Sequence, residues 1–118
     1  MKKFSVKIVD PNSKKEIDLN KVFENKLFND IPDLFIEDGN SLTNTQSDFY
    51  NDVKFPNYDD VEDFGSLLDK SRKSIFGKKL DDEIPMRTNI LEAGCGTGQM
   101  SIALSRYGRQ VYGIDLSK

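Results

Sequence analysis

The chain has 118 residues, with 17 Lys and Arg against 20 Asp and Glu and a formal net charge of −3. That length suits one domain, and the slight acidity argues against a nucleic-acid surface, which carries a clustered excess of basic residues. One cysteine and no histidine exclude an internal disulfide and a conventional zinc site. No apolar run approaches the roughly 20 residues of a membrane span, the N-terminus has no signal-peptide core, and the expected compartment is cytoplasmic.

In chain order, Phe4, Val6 and Ile8 alternate with Ser5 and Lys7, the period-2 pattern of a half-buried strand. Asp10-Pro11-Asn12-Ser13 carries turn chemistry, and an extended piece over Glu16 to Leu19 would close a hairpin. Val22, Phe23, Leu27 and Phe28 fit a short helix stopped by Asn29, Asp30 and Pro32. Asp38 to Ser47 (DGNSLTNTQS) is polar and turn-rich and reads as a linker or loop. The expected organisation is therefore an N-terminal extension over residues 1–45 and a second domain over residues 46–118. Phe49 to Tyr58 (FYNDVKFPNY) is aromatic without a clean period, and its rings can cover one edge of a core.

Asp59 or Asp60 can cap the next helix, with Glu62 and Asp63 in its first turn. Val61, Phe64, Leu68 and Ile75 mark one face, and Gly77 is placed to end it. Lys70, Arg72, Lys73, Lys78 and Lys79 load its later half with positive charge, which reads as a solvated face in preference to a phosphate contact. Asp81 to Arg87 then links to a strand, with Pro85 barring helix continuation.

Thr88 to Lys118, TNILEAGCGTGQMSIALSRYGRQVYGIDLSK, is the informative stretch. Ile90-Leu91 is a short strand entering a turn through Glu92-Ala93. Gly94, Gly96 and Gly98 follow, and glycine permits positive φ and close approach of a ligand to the backbone. Met100, Ala103, Leu104 and Tyr107 then recur at i, i+3, i+4, i+7, one face of a helix. Gly108 sits where a helix C′ residue is expected, with Arg106 in the last turn. Gln110 to Ile114 is a second strand and Asp115 stands just past it. An acid about 20 residues after the first glycine is what a nucleotide-binding βαβ unit needs to hold ribose hydroxyls. The spacing is G-x-G-x-G, which disfavours the dinucleotide fingerprint G-x-G-x-x-G of nicotinamide-dependent dehydrogenases.

ILEAGCGTG followed by VYGIDLS resembles motif I and the following acidic strand end of class I S-adenosylmethionine-dependent methyltransferases. The resemblance is strong over Thr88 to Lys118 and fades before it. It implies an α/β fold, the N-terminal portion of a Rossmann-like (doubly wound) domain, with S-adenosyl-L-methionine as cofactor. It implies that Gly94 to Gly98 wrap the methionine part, with backbone near Gly94 and Cys95 facing its ammonium and carboxylate. Glu92 would help place the cationic end, Asp115 would hold the ribose hydroxyls, and Leu116 would pack beside the adenine. In many family members an aromatic segment before the first core strand lines the cofactor pocket, which makes Phe49, Tyr50 and Tyr58 candidates.

No catalytic residue can be assigned. Cys95 has no histidine to activate it, and a small residue is natural between these glycines. A doubly wound sheet needs more than two parallel strands, so the expectation is that further C-terminal chain or a partner chain completes it. The default methyl acceptor is a small molecule. The alternative is a non-catalytic nucleotide-binding or partner-completed half-domain.

Overall fold

A computed structural model describes residues 6–18, 20–22, 27–28, 31–32, 34, 41–53 and 56–116. The chain divides into two compact units, Met1–Gly39 and Asn40–Lys118.

In the first unit, Val9 and Glu16 form an antiparallel bridge. The Ile17 N–H donates to the Ile8 carbonyl at 2.8 Å and the Asp10 N–H to the Lys15 carbonyl at 2.9 Å. Asp10 shapes the turn between them, because its Oδ1 accepts from the Asn12 N–H at 2.8 Å and the Ser13 N–H at 2.7 Å. The Ser13 and Asn12 amides hold its carboxyl below the usual range. The turn read from Asp10 to Ser13 is thus present, while Phe4, Ser5 and Leu19 lie outside the described residues.

The helix expected across Val22 to Phe28 does not extend to Leu27 and Phe28, which are strand. Asn20, Lys21 and Val22 are helical, but β1 (Leu27–Phe28) pairs antiparallel with β2 (Ile31–Pro32), Phe28 opposite Ile31. Asn and Asp at positions 29 and 30 suit a two-residue hairpin connection as well as a helix stop. Phe23 lies outside the described residues.

The second unit opens with α1 (Ser41–Asp52). The polar stretch read as a linker is therefore helical from Ser41. Leu42, Phe49 and Val53 fall at i, i+7 and i+11, an apolar stripe that is invisible when the polar and aromatic stretches are read apart. The stripe stays exposed, and Phe49 meets Tyr50 edge to face with ring centres 5.3 Å apart.

Helix α2 (Phe64–Lys73) is capped by Asp63, not by Asp59 or Asp60. Asp63 Oδ1 accepts from the Ser66 N–H at 2.7 Å, and Ser66 Oγ accepts in return from the Asp63 N–H at 3.0 Å. Asp63 has a hydroxyl three residues on that can complete this reciprocal box. Asp60, with φ of 63°, lies in the preceding turn.

The helix then breaks at Ser74 (φ −75°, ψ 129°), whose side chain caps α3 (Ile75–Glu83). Gly77, expected as a terminator, is buried inside α3. A Cβ there would lie 2.2 Å from the Ser71 carbonyl oxygen, so the close approach of α3 to the end of α2 requires glycine. The break also dissolves the expected face: Ile75 is exposed and Leu67 is the buried residue of α2. Asp81 to Glu83 are helical, not a linker, and Pro85 follows the Ile84 C-cap.

Strand β3 (Asn89–Ala93) pairs in parallel with β4 (Gln110–Ile114), in a register from Asn89 opposite Gln110 to Ala93 opposite Ile114. Between them runs α4 (Gln99–Leu104), which closes at Ser105. Tyr107 and Gly108 therefore lie beyond the helix, in a turn with φ of 58° and 69°, and Gly108 is not its C′ residue. Leu67, Ala103 and Leu104 form the buried apolar core. The architecture is α/β with a two-stranded parallel sheet among the described residues, compatible with the opening of a Rossmann-like domain.

Beside that core lies a buried charge cluster. Asp81 Oδ1 meets Arg109 Nη1 at 2.9 Å, and its Oδ2 meets Arg72 Nη1 at 2.5 Å and also Arg106 Nη2. Arg109 further donates from Nη2 to the Asp81 carbonyl at 2.7 Å and the Ile84 carbonyl at 2.5 Å. Arg106 and Arg109 both lie over the Tyr107 ring. Arg106 thus answers a buried carboxylate, not the dipole of its own helix. Arg72 leaves the basic stripe for the same cluster and pairs with Asp82 as well.

Candidate functional site

The site sits at the carboxyl ends of β3 and β4, where open α/β sheets place their ligand crevice. Glu92 and Ala93 belong to β3 and not to the turn. The chain then reverses through Gly94, Gly96 and Gly98 with φ of 73°, 53° and 82°. These left-handed values explain the alternate glycines, since a Cβ disfavours them. A Cβ built at Gly94 or Gly98 would meet nothing within 4 Å. The loop backbone is therefore open to a ligand at both ends.

The loop's donors are largely engaged inside the protein. The N–H groups of Gly94 and Cys95 both donate to the Ile114 carbonyl, at 2.8 and 3.1 Å. The Gly96 N–H donates to Asp115 Oδ2 at 2.7 Å, and the Gly98 N–H to the Cys95 carbonyl at 2.9 Å. The end of β4 and the glycine loop are thus one hydrogen-bonded corner, with the exposed Asp115 on its rim. Glu92 Oε2 accepts from the Ser101 hydroxyl, which ties β3 to α4 behind the loop.

Cys95 is half-buried. Burial, and then the Asp115 and Glu92 carboxylates, push its thiol above the ordinary value. That is the opposite of what a nucleophilic thiol needs.

Six of the residues singled out from sequence meet at this corner: Glu92, Gly94, Cys95, Gly96, Gly98 and Asp115. Leu116 follows directly, half-buried, its carbonyl accepting from the Ser47 hydroxyl of α1 at 3.2 Å. Of the three candidate rings, Tyr58 touches the loop, donating its hydroxyl to the Thr97 carbonyl at 2.8 Å. Phe49 and Tyr50 lie exposed on or near the stripe of α1.

Sequence reading passed over Thr97 and Gln99. Thr97 Oγ1 donates to the Pro56 carbonyl at 2.5 Å, and Gln99 Nε2 donates to the Asn57 carbonyl. Their partners lie about forty positions upstream, and no local pattern marks such pairs. Among the described residues there is no group of His, Cys, Asp and Glu that could hold a metal ion, and no helix long and apolar enough to cross a membrane.

A family model falls on the same stretch. The family model described as "Methyltransferase domain" matches residues 91–118. A Bacillus subtilis (strain 168) protein described as "Putative methyltransferase YqeM" is 34% identical over 55 residues, covering 47% of this chain and 22% of that protein. The aligned stretch thus spans about a fifth of the curated relative's length. No solved structure matches.

Proposed function

We propose, from a chain whose residues 91–118 carry the methyltransferase-domain sequence of the class I family, that it binds S-adenosyl-L-methionine as the opening part of a methyltransferase domain. The observation that carries this reading is the closed corner at the end of the parallel pair. Asp115 anchors the Gly96 amide there, while glycines without Cβ keep the loop approachable.

The fit is chemical as well as spatial. The Gly94 and Cys95 amides are committed to Ile114. What this part of the loop offers a ligand is acceptor oxygen, suited to the cofactor's ammonium. Glu92 adds negative charge near the same end. Asp115 is acceptor-only when ionised and would receive the ribose hydroxyls, with Leu116 beside the adenine. The bound cofactor supplies an electrophilic methyl group on a sulfonium. The residues of this chain bind and orient, which is the main demand of such a transfer.

The reading extends to residues 46–118 as the start of the domain and residues 1–45 as an extension, in a cytoplasmic protein acting on a small molecule. Two parallel strands do not make a doubly wound sheet, so further chain or a partner chain supplies the remaining strands and the methyl-accepting side. That same observation supports the second reading, a half-domain that binds the nucleotide without catalysing.

Titration calorimetry with S-adenosylhomocysteine and NAD tests the binding. Saturable binding of S-adenosylhomocysteine, undisturbed by NAD, is the expected result. A folded chain that binds neither ligand would sink both nucleotide-binding readings.

A further inference from the structure

Residues 56 to 59 cross beside the glycine loop and are tied to it from both ends of Gly98. Thr97 is linked to the segment twice. The Thr97 hydroxyl donates to the Pro56 carbonyl at 2.5 Å, and the Tyr58 hydroxyl donates to the Thr97 carbonyl at 2.8 Å. On the other side of Gly98, the Gln99 side-chain amide donates to the Asn57 carbonyl. From α2, Lys70 Nζ donates to the Asn57 carbonyl at 3.2 Å and the Asp59 carbonyl at 3.1 Å.

We infer that this segment is a strap, and that Thr97 and Gln99 are positioning residues that set cofactor affinity through it without contacting the cofactor. The inference rests on the S-adenosylmethionine-binding reading. Its physical basis is preorganisation: a loop held in its binding shape beforehand loses less conformational freedom when the ligand arrives.

Gly98, with φ of 82° and no side-chain cap for α4, is the point where the loop would otherwise be least constrained. The latches fall on its two neighbours. Gln99 is 8% exposed, and a buried amide there is costly unless a partner such as Asn57 accepts from it. An apolar side chain would fill the space as well, so packing alone does not explain an amide at this position. The opposite side of the loop is already fixed by Ile114 and Asp115. The strap supplies the missing half of the frame. By reciprocity, a ligand that favours the latched loop must also favour the latched strap.

The test uses the whole chain, S-adenosylhomocysteine as probe, and the variants Thr97→Val, Thr97→Ser and Tyr58→Phe. Thr97→Val keeps the shape and loses the donor, and Thr97→Ser keeps the donor. Calorimetry should show Thr97→Val and Tyr58→Phe each binding about three- to tenfold more weakly, the scale of one net hydrogen bond. Thr97→Ser should stay within about twofold of wild type on the same scale. Amide exchange at residues 57–59 should slow on ligand addition in wild type and change less in Thr97→Val.

Tyr58 is partly exposed, so its variant reports on the latch if Thr97→Val fails to fold. Wild-type affinity in both donor-deleting variants overturns the strap alone, as does a loss in Thr97→Ser equal to that in Thr97→Val. A folded wild-type chain that binds no S-adenosylhomocysteine overturns the cofactor reading and the strap with it.

Discussion

Asp115 and Gly96, nineteen positions apart, are joined by a 2.7 Å hydrogen bond from the Gly96 N–H to Asp115 Oδ2. The residue at the rim of β4 therefore shapes the glycine loop as well as facing outward from it. Removing its carboxylate should cost twice, once in the loop and once at the ligand. Asp115→Ala is expected to weaken S-adenosylhomocysteine binding by about 1.5–3 kcal/mol, the range for a hydrogen bond to a charged group. Asp115→Asn keeps a neutral acceptor and should lose less. Calorimetric affinities of the two variants decide the matter, and an unchanged Asp115→Ala value removes this residue from the site.

At Gly77 two effects oppose each other. Alanine in a helix interior gains about 1 kcal/mol over glycine. Its Cβ would stand 2.2 Å from the Ser71 carbonyl oxygen, a backbone atom that cannot swing away as a side chain can. Forcing that contact costs about 1–3 kcal/mol or more. Gly77→Ala is therefore expected to lower the melting temperature. A rise would mean that the α2–α3 crossing yields readily.

Asp81 predicts an acid limb. Burial pushes its carboxyl pKa up, but Arg109, Arg72 and Arg106 outweigh burial, and the net shift is downward from 3.8. A depressed folded value means that its contribution is fully present above the unfolded pKa. It is lost as pH falls through the lower folded value. Denaturant midpoints should therefore fall below about pH 4, and Asp81→Asn should flatten that fall. At neutral pH the same variant removes the carboxylate shared by Arg109, Arg72 and Arg106, of which Arg72 keeps Asp82, and should cost about 3–5 kcal/mol. An acid limb identical in wild type and variant would assign it to other carboxylates.

Cys95 should be a slow thiol. With its pKa raised by burial and by the neighbouring Asp115 and Glu92 carboxylates, little thiolate exists near neutrality. Alkylation by iodoacetamide at pH 8 is expected to run more slowly in the folded chain than in urea. Added S-adenosylhomocysteine should slow it further by covering the loop. Faster reaction in the folded state would contradict this reading of the loop's electrostatics.

What was legible in the sequence is what short-range chemistry decides. The strand at Ile90-Leu91 (though it runs on through Ala93), the alternate glycines, the strand from Gln110 to Ile114 and the acid after it appear where the pattern puts them. Asp10 shapes its turn through amides two and three residues away, and Pro85 follows the end of α3. A left-handed turn needs glycine whatever lies around it, so these features need no distant partner.

Only the tertiary structure decided the rest, because the deciding partner was elsewhere. Asp59 and Asp60 were the candidate caps of α2, and a Ser66 hydroxyl selected Asp63 instead. Gly77 looked like a helix stop until the Ser71 carbonyl came within reach of its missing Cβ. Arg106 looked like a dipole residue until Asp81, 25 positions back, claimed it. Thr97 and Gln99 carry no local mark at all, since Pro56 and Asn57 reach them from 41 and 42 positions away. Sequence pattern specifies the loop's backbone, and long-range hydrogen bonds and packing specify the frame around it.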